Sequence, residues 1–129
     1  MEEDQQKKAL EFQILNSQFE QYKQQLVNLK EQQKDISNLS ISLKEISKLK
    51  TGDEFLSPLS SGVLVKANLK TTEDVLMAVG AGVMVKKPIK DAKKLIEEQE
   101  KQITLMIAQL ESEIQNIGQV INSLQQELQ

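Results

Sequence analysis

From Phe12 onward, apolar residues return at Phe12, Leu15, Phe19, Tyr22, Leu26, Leu29, Ile36 and Leu43 in alternating steps of three and four, with Gln33 and Ser40 filling the gaps. That rhythm keeps one apolar stripe in line along a helix and is the heptad seam of a coiled coil. Near Ile36 a second track runs through Leu39, Ile46 and Leu49, which predicts a phase slip and a broader apolar face. Gly52, after Lys50 and Thr51, predicts a helix end near Thr51, because glycine takes the left-handed conformation that closes many helices. A second seam opens after Pro88 and runs through Ile89, Ile96, Ile103, Ile107, Leu110, Ile114, Ile117, Ile121, Leu124 and Leu128, interrupted by Lys93 and Glu100. Pro88 suits a first helical turn, and Asp91 is placed to meet the positive end of the helix dipole. Gly118, inside this helix, costs about 1 kcal/mol relative to alanine and predicts local fraying rather than a break.

At 1.5 Å per residue, helices over 5–51 and 88–129 would each be roughly 60 to 70 Å long, and their similar lengths predict an antiparallel pair. The intervening segment, 52–87, is far longer than the usual connection between helices, so it needs structure of its own. Its pattern is β. Glu54 to Leu59 and Val63 to Leu69 flank Ser60, Ser61 and Gly62, while Val75 to Val79 and Val83 to Lys86 flank Gly80, Ala81 and Gly82, which predicts two hairpins. One face of Val63 to Leu69 is wholly apolar, and both faces of Val75 to Val79 nearly so. An isolated hairpin is marginal in water and an open apolar edge invites pairing. The strands are therefore expected to bury Phe55, Leu59, Val63, Val65, Val75, Met77, Val79, Val83 and Val85 against other subunits.

Composition narrows the function classes. The 129 residues contain no Cys and no His, which removes disulfides, thiol nucleophiles, imidazole bases and nearly all zinc chemistry. No metal site, cofactor or catalytic residue is expected. Three Phe, one Tyr and no Trp make a thick globular core improbable. The acidic start, Met1 to Asp4, and the lack of an apolar run near it argue against a secretory signal, so a cytoplasmic protein is expected. The longest apolar run, Val75 to Val85, is about half of what a membrane helix needs, so no membrane partner is expected. Net charge is −3, and no cation follows Lys101 while Glu111, Glu113 and Glu127 remain. Nucleic acid would be repelled there.

Other motifs have plain readings. Gly80-Ala81-Gly82 lacks the third glycine and following helix of a phosphate loop and reads as a hairpin turn. Lys86, Lys87, Lys90, Lys93 and Lys94 form a basic cluster without interleaved aromatics, so a solvated surface is favoured over a binding patch. Asp53-Glu54 and Glu97-Glu98 have no accompanying pocket or second catalytic group and read as helix and turn surface. Leu10 and Ile14, one turn apart, fall off the Phe12, Leu15, Phe19 seam, and Leu105 and Met106 fall off the second. A two-stranded coil would leave them exposed to a partner, whereas a larger bundle would bury them on another helix.

The succession helix, two hairpins, helix resembles prefoldin. The resemblance is most specific at Pro58-Leu59-Ser60-Ser61-Gly62-Val63-Leu64-Val65-Lys66-Ala67 and at Val79-Gly80-Ala81-Gly82-Val83-Met84-Val85, which are similar to the hairpin signatures of the archaeal-type alpha subunit. Ile89-Lys90-Asp91-Ala92 resembles its entry into the second helix. Two hairpins rather than one mark the alpha class. The chain departs from the family pattern at Leu64 and Met84, often aromatic, and at Lys86, often acidic. The resemblance implies an α+β fold: a single domain with a long antiparallel two-helix coiled coil and two central hairpins that form an oligomeric β-barrel platform. It implies a hexamer of two such chains with four beta-class subunits, binding of unfolded or nascent proteins at the coil tips without nucleotide, and transfer to a group II chaperonin. The tips would be lined by Leu10, Phe12, Ile14, Leu15 and Phe19 with Ile121, Leu124 and Leu128. A structural filament or scaffold built through the hairpins is the alternative.

Overall fold

The computed structural model describes residues 2–128. Helix α1 (Glu2–Ser47) is followed by strands β1 (Glu54–Ser60), β2 (Val63–Asn68), β3 (Asp74–Gly80) and β4 (Val83–Pro88), then by helix α2 (Ile89–Leu128). Gln129, included in the expected second helix, lies outside the described residues. The chain divides into two compact units, one of residues up to Asp35 with those from Lys101 onward, the other Ile36–Glu100.

In the first unit the two helices run antiparallel. Lys8 Nζ reaches Glu127 Oε2 at 3.1 Å, Lys30 reaches Glu111 at 3.8 Å, and Gln33 Nε2 donates to Thr104 Oγ1 at 3.2 Å. Between them the expected seam closes: Phe12, Leu15, Phe19, Tyr22, Leu26 and Leu29 are half-buried, while Ile103, Ile107 and Leu124 are buried. Glu2, Glu3 and Asp4 occupy the first turn of α1, where negative charge meets the positive end of the helix dipole. Helix α2 continues unbroken through Gly118. The Phe19 ring lies against this glycine, so that a Cβ added there would sit 3.4 Å from Phe19 Cε2.

The second unit carries the hairpins on the other portions of α1 and α2. α1 stops at Ser47, four residues before the expected end near Thr51. Side-chain bonds explain the shift: Ser47 Oγ donates to the Lys44 carbonyl at 2.7 Å, and the Lys50 N–H donates to Asp53 Oδ2 at 2.8 Å. These bonds wind 48–53 into a turn. Gly52, at φ +93°, serves the hairpin rather than the helix end, donating its N–H to the Leu69 carbonyl at 2.7 Å.

Each hairpin is a separate two-stranded antiparallel sheet, β1 with β2 and β3 with β4. The two are built alike. β1 pairs Leu56 with Lys66 and Pro58 with Leu64, and β3 pairs Leu76 with Lys86 and Ala78 with Met84. Each then slips by one residue, at Leu59 and at Val79, a bulge that adds twist ahead of the turn. The sequence carries the same pattern twice, twenty residues apart, in Leu56…Leu59-Ser60-Ser61-Gly62-Val63-Leu64-Val65-Lys66 and Leu76…Val79-Gly80-Ala81-Gly82-Val83-Met84-Val85-Lys86. In the second turn both central residues, Ala81 (φ +51°) and Gly82 (φ +74°), are left-handed, the arrangement that matches the twist of hairpin strands.

The core of the second unit is small. Leu43 of α1 and Ala92 and Ile96 of α2 are buried together, with Ile36, Val75 and Met77 packed against them. Hairpin β3–β4 is thus held to the helices by one face of β3. Ser37 Oγ donates to Glu100 Oε1 at 3.1 Å, and Lys93 Nζ donates to Ser47 Oγ at 2.9 Å. Ser37, Glu100 and Lys93 are half-buried, so the seam interruptions at Lys93 and Glu100 are partnered polar groups.

Candidate interaction surfaces

At the end of the first unit where α1 begins and α2 ends, the apolar residues sort into two sets. Phe12, Leu15, Phe19, Ile121 and Leu124 turn into the seam, with Leu124 only 8% exposed. Leu10 (59% exposed) and Ile14 (53%) lie outside it, and Leu128 (37%), the last residue on the seam rhythm of α2, is exposed. A helix places residues four apart one above the other, so Leu10 and Ile14 form a short apolar ridge on the outside of α1. The seam residues support this ridge, and Leu124 in particular holds the two helices together instead of offering surface. On α2, Leu105 and Met106 are exposed as well. Met106 also lines a shallow groove with Tyr22, Gln25, Leu29, Gln109 and Leu110.

In the second unit the alternation of each strand divides the hairpin residues between two faces. Val75 and Met77, expected to meet another subunit, are half-buried on the chain's own Leu43, Ala92 and Ile96. Phe55 is half-buried on the corresponding face of β1, beside a groove lined by Ile46 and Leu49. Val85, paired with Met77, is half-buried too. Leu59, Val63, Val65, Val79 and Val83 are exposed around the bulges and turns. The opposite face carries Leu56 (58% exposed), Leu64 (58%), Leu76 (64%) and Met84 (55%), none of which the sequence reading assigned to assembly. The twenty-residue repeat could have found them: it places a leucine at Leu56 and Leu76, an apolar residue at Leu64 and Met84, and a lysine at Lys66 and Lys86. Four exposed apolar side chains on two-stranded sheets with unpaired edges form a surface suited to burial in an assembly.

Among the described residues no group of three or more acidic, histidine or cysteine side chains is placed to hold a metal ion. No helix among them is long and apolar enough to cross a membrane.

Comparison with known proteins places this architecture. The family model for the prefoldin subunit matches residues 15–129. The chain belongs to the prefoldin family. Prefoldins are non-enzymatic, chaperone-type proteins that form oligomers with other prefoldin subunits. Among solved structures, the chain is similar to the filamentous PFD of Methanocaldococcus jannaschii, determined by cryo-electron microscopy, with a TM-score of 0.74 and 22% identity over 89% of this chain and 95% of that one. The shared fold is the prefoldin one, two long helices and two antiparallel hairpins. No curated protein sequence matches the chain. In this prefoldin the exposed ridge of α1 and the outward faces of the hairpins are therefore distinct surfaces, one in each unit.

Proposed function

We propose that the chain is an alpha-class prefoldin subunit acting as an ATP-independent holdase. Two copies join four beta-class subunits through the hairpins into a β-barrel platform in the cytoplasm. The coil ends bind non-native chains, prevent their aggregation and release them to a group II chaperonin. The observation that carries this reading is the solvent-exposed ridge of Leu10 and Ile14 outside a closed seam. Phe12, Leu15, Phe19, Ile121 and Leu124, closed into the seam, give it a firm base, and Leu128 adds exposed apolar surface. Apolar side chains on several coil ends capture a client by avidity, with no single tight site and no nucleotide. The alpha-class assignment rests on the presence of two hairpins.

A filament-forming scaffold is the second reading. It is favoured by the unpaired hairpin edges and by the likeness to a prefoldin described as filamentous. Heterologous contacts that fail to close propagate into fibres. Light scattering on a sizing column, with the chain alone and mixed with a beta-class subunit, separates the two. One discrete species with the mass of two copies and four partners supports the holdase subunit. Long polydisperse assemblies that ignore the partner support the scaffold.

A further inference from the structure

The charge around the apolar ridge specifies the kind of polypeptide that it takes. The Lys8–Glu127 ion pair and the Phe19–Gly118 contact set residues 117–128 beside residues 2–20, and over these two segments there are six carboxylates, Glu2, Glu3, Asp4, Glu11, Glu20 and Glu127, and only two lysines, Lys7 and Lys8. All six carboxylates belong to exposed residues. Lys8 is held by Glu127 at 3.1 Å, and the nearby Lys23 lies over the Phe19 ring at 5.0 Å and 3.8 Å from Glu20. Among the described residues no cation lies within ion-pair distance of Glu2, Glu3, Asp4 or Glu11. The second unit has no such excess, since its ten lysines nearly balance nine carboxylates. Negative charge is thus concentrated where Leu10, Ile14 and Leu128 are exposed. On the surface of α1, Glu11 lies one turn from Ile14, while Glu3 and Lys7 line a shallow groove with Leu10.

We propose that this end of the coiled coil selects client segments in which apolar residues alternate with lysine or arginine, and disfavours apolar segments that are anionic. The proposal rests on the holdase reading and names its substrate class. An apolar ridge supplies contact without sequence preference, whereas a surrounding field of one sign raises the encounter rate and stability of oppositely charged segments and lowers those of like-charged ones. At low salt the field extends about 30 Å, beyond the ridge, and contracts to roughly 3 Å near molar salt. The selectivity is therefore screened while the apolar contact persists.

The test uses the full chain in the assembly that it forms and three synthetic unfolded peptides of equal length and leucine content, carrying lysines, glutamates or only neutral residues. Fluorescence anisotropy at low salt gives their affinities. The lysine peptide should bind about tenfold tighter than the glutamate peptide, the neutral one should fall between, and salt should bring the three together. The double variant Glu11→Gln, Glu20→Gln, outside the first turn of α1, should narrow the ratio between charged peptides. Equal affinities of all three at low salt would overturn the selectivity while leaving the holdase reading intact. Binding of none of them would overturn the holdase reading and the selectivity with it.

Discussion

Gly118 faces the Phe19 ring across the first unit. Replacement by alanine adds one methyl, whose carbon would meet Phe19 Cε2 at 3.4 Å and Cζ at 4.0 Å. Both distances are ordinary van der Waals contacts, so no atom has to move far. α2 also gains helix propensity of about 1 kcal/mol, because alanine has less backbone entropy to lose than glycine. Gly118→Ala should therefore stabilise the chain by about 1 kcal/mol, or roughly 3–5 °C in melting temperature for a chain of this size. Gly118→Val carries two further methyls towards the ring and restricts the side-chain rotamer, so it should destabilise by about 1–3 kcal/mol. Thermal melts followed by far-ultraviolet circular dichroism, at one fixed protein concentration because assembly contributes to stability, read both variants. If Gly118→Ala lowers the melting temperature, the glycine is needed to let the helices approach closely and the reasoning fails.

Three further outcomes follow from the geometry. Ala81 holds a left-handed conformation at φ +51°, so Ala81→Asn, a residue that tolerates it, should stabilise the second hairpin by about 0.5–1 kcal/mol, measured by chemical denaturation. Leu56→Asp with Leu76→Asp places charges on the exposed outer hairpin faces and should reduce native mass on a sizing column while helicity is kept; unchanged mass would show that those faces are not assembly surfaces. Lys8→Ala should cost less than about 0.5 kcal/mol, because the Lys8–Glu127 pair is about half exposed on both sides and solvent screens it.

Much of the fold was legible because it is periodic. The step of three and four from Phe12 to Leu29 and from Ile103 to Leu124 is a geometric requirement of two helices sharing one seam, and the structure buries or half-buries those residues. The hairpins were readable from glycine at the turns and from alternation. The end of α1 was not, because Ser47 and Asp53 close it through side-chain bonds to backbone, which a glycine-based stop at Gly52 does not reveal. Gly118 predicted fraying only in the absence of its neighbour; Phe19, far away in sequence, lies against it. The hairpin faces were hardest. Where Val75 and Leu76 are both apolar, alternation does not say which side meets the helix, and only the position of Leu43, Ala92 and Ile96 decides it. The ridge at Leu10 and Ile14 was legible as a departure from the seam, but periodicity alone left open whether another helix covers it.

If exposed apolar residues at this end of the coiled coil hold non-native chains, substituting the ridge should remove that activity. Leu10→Ser and Ile14→Ser together leave the seam intact, since both side chains already lie in solvent. The measurement is the suppression of aggregation of a chemically unfolded client as it is diluted from denaturant, with native mass and helicity recorded on the same samples. Mass and helicity should be unchanged, with a clear loss of suppression at equal chaperone concentration. Full suppression by the substituted protein would contradict the ridge's role and place the client surface elsewhere on the chain.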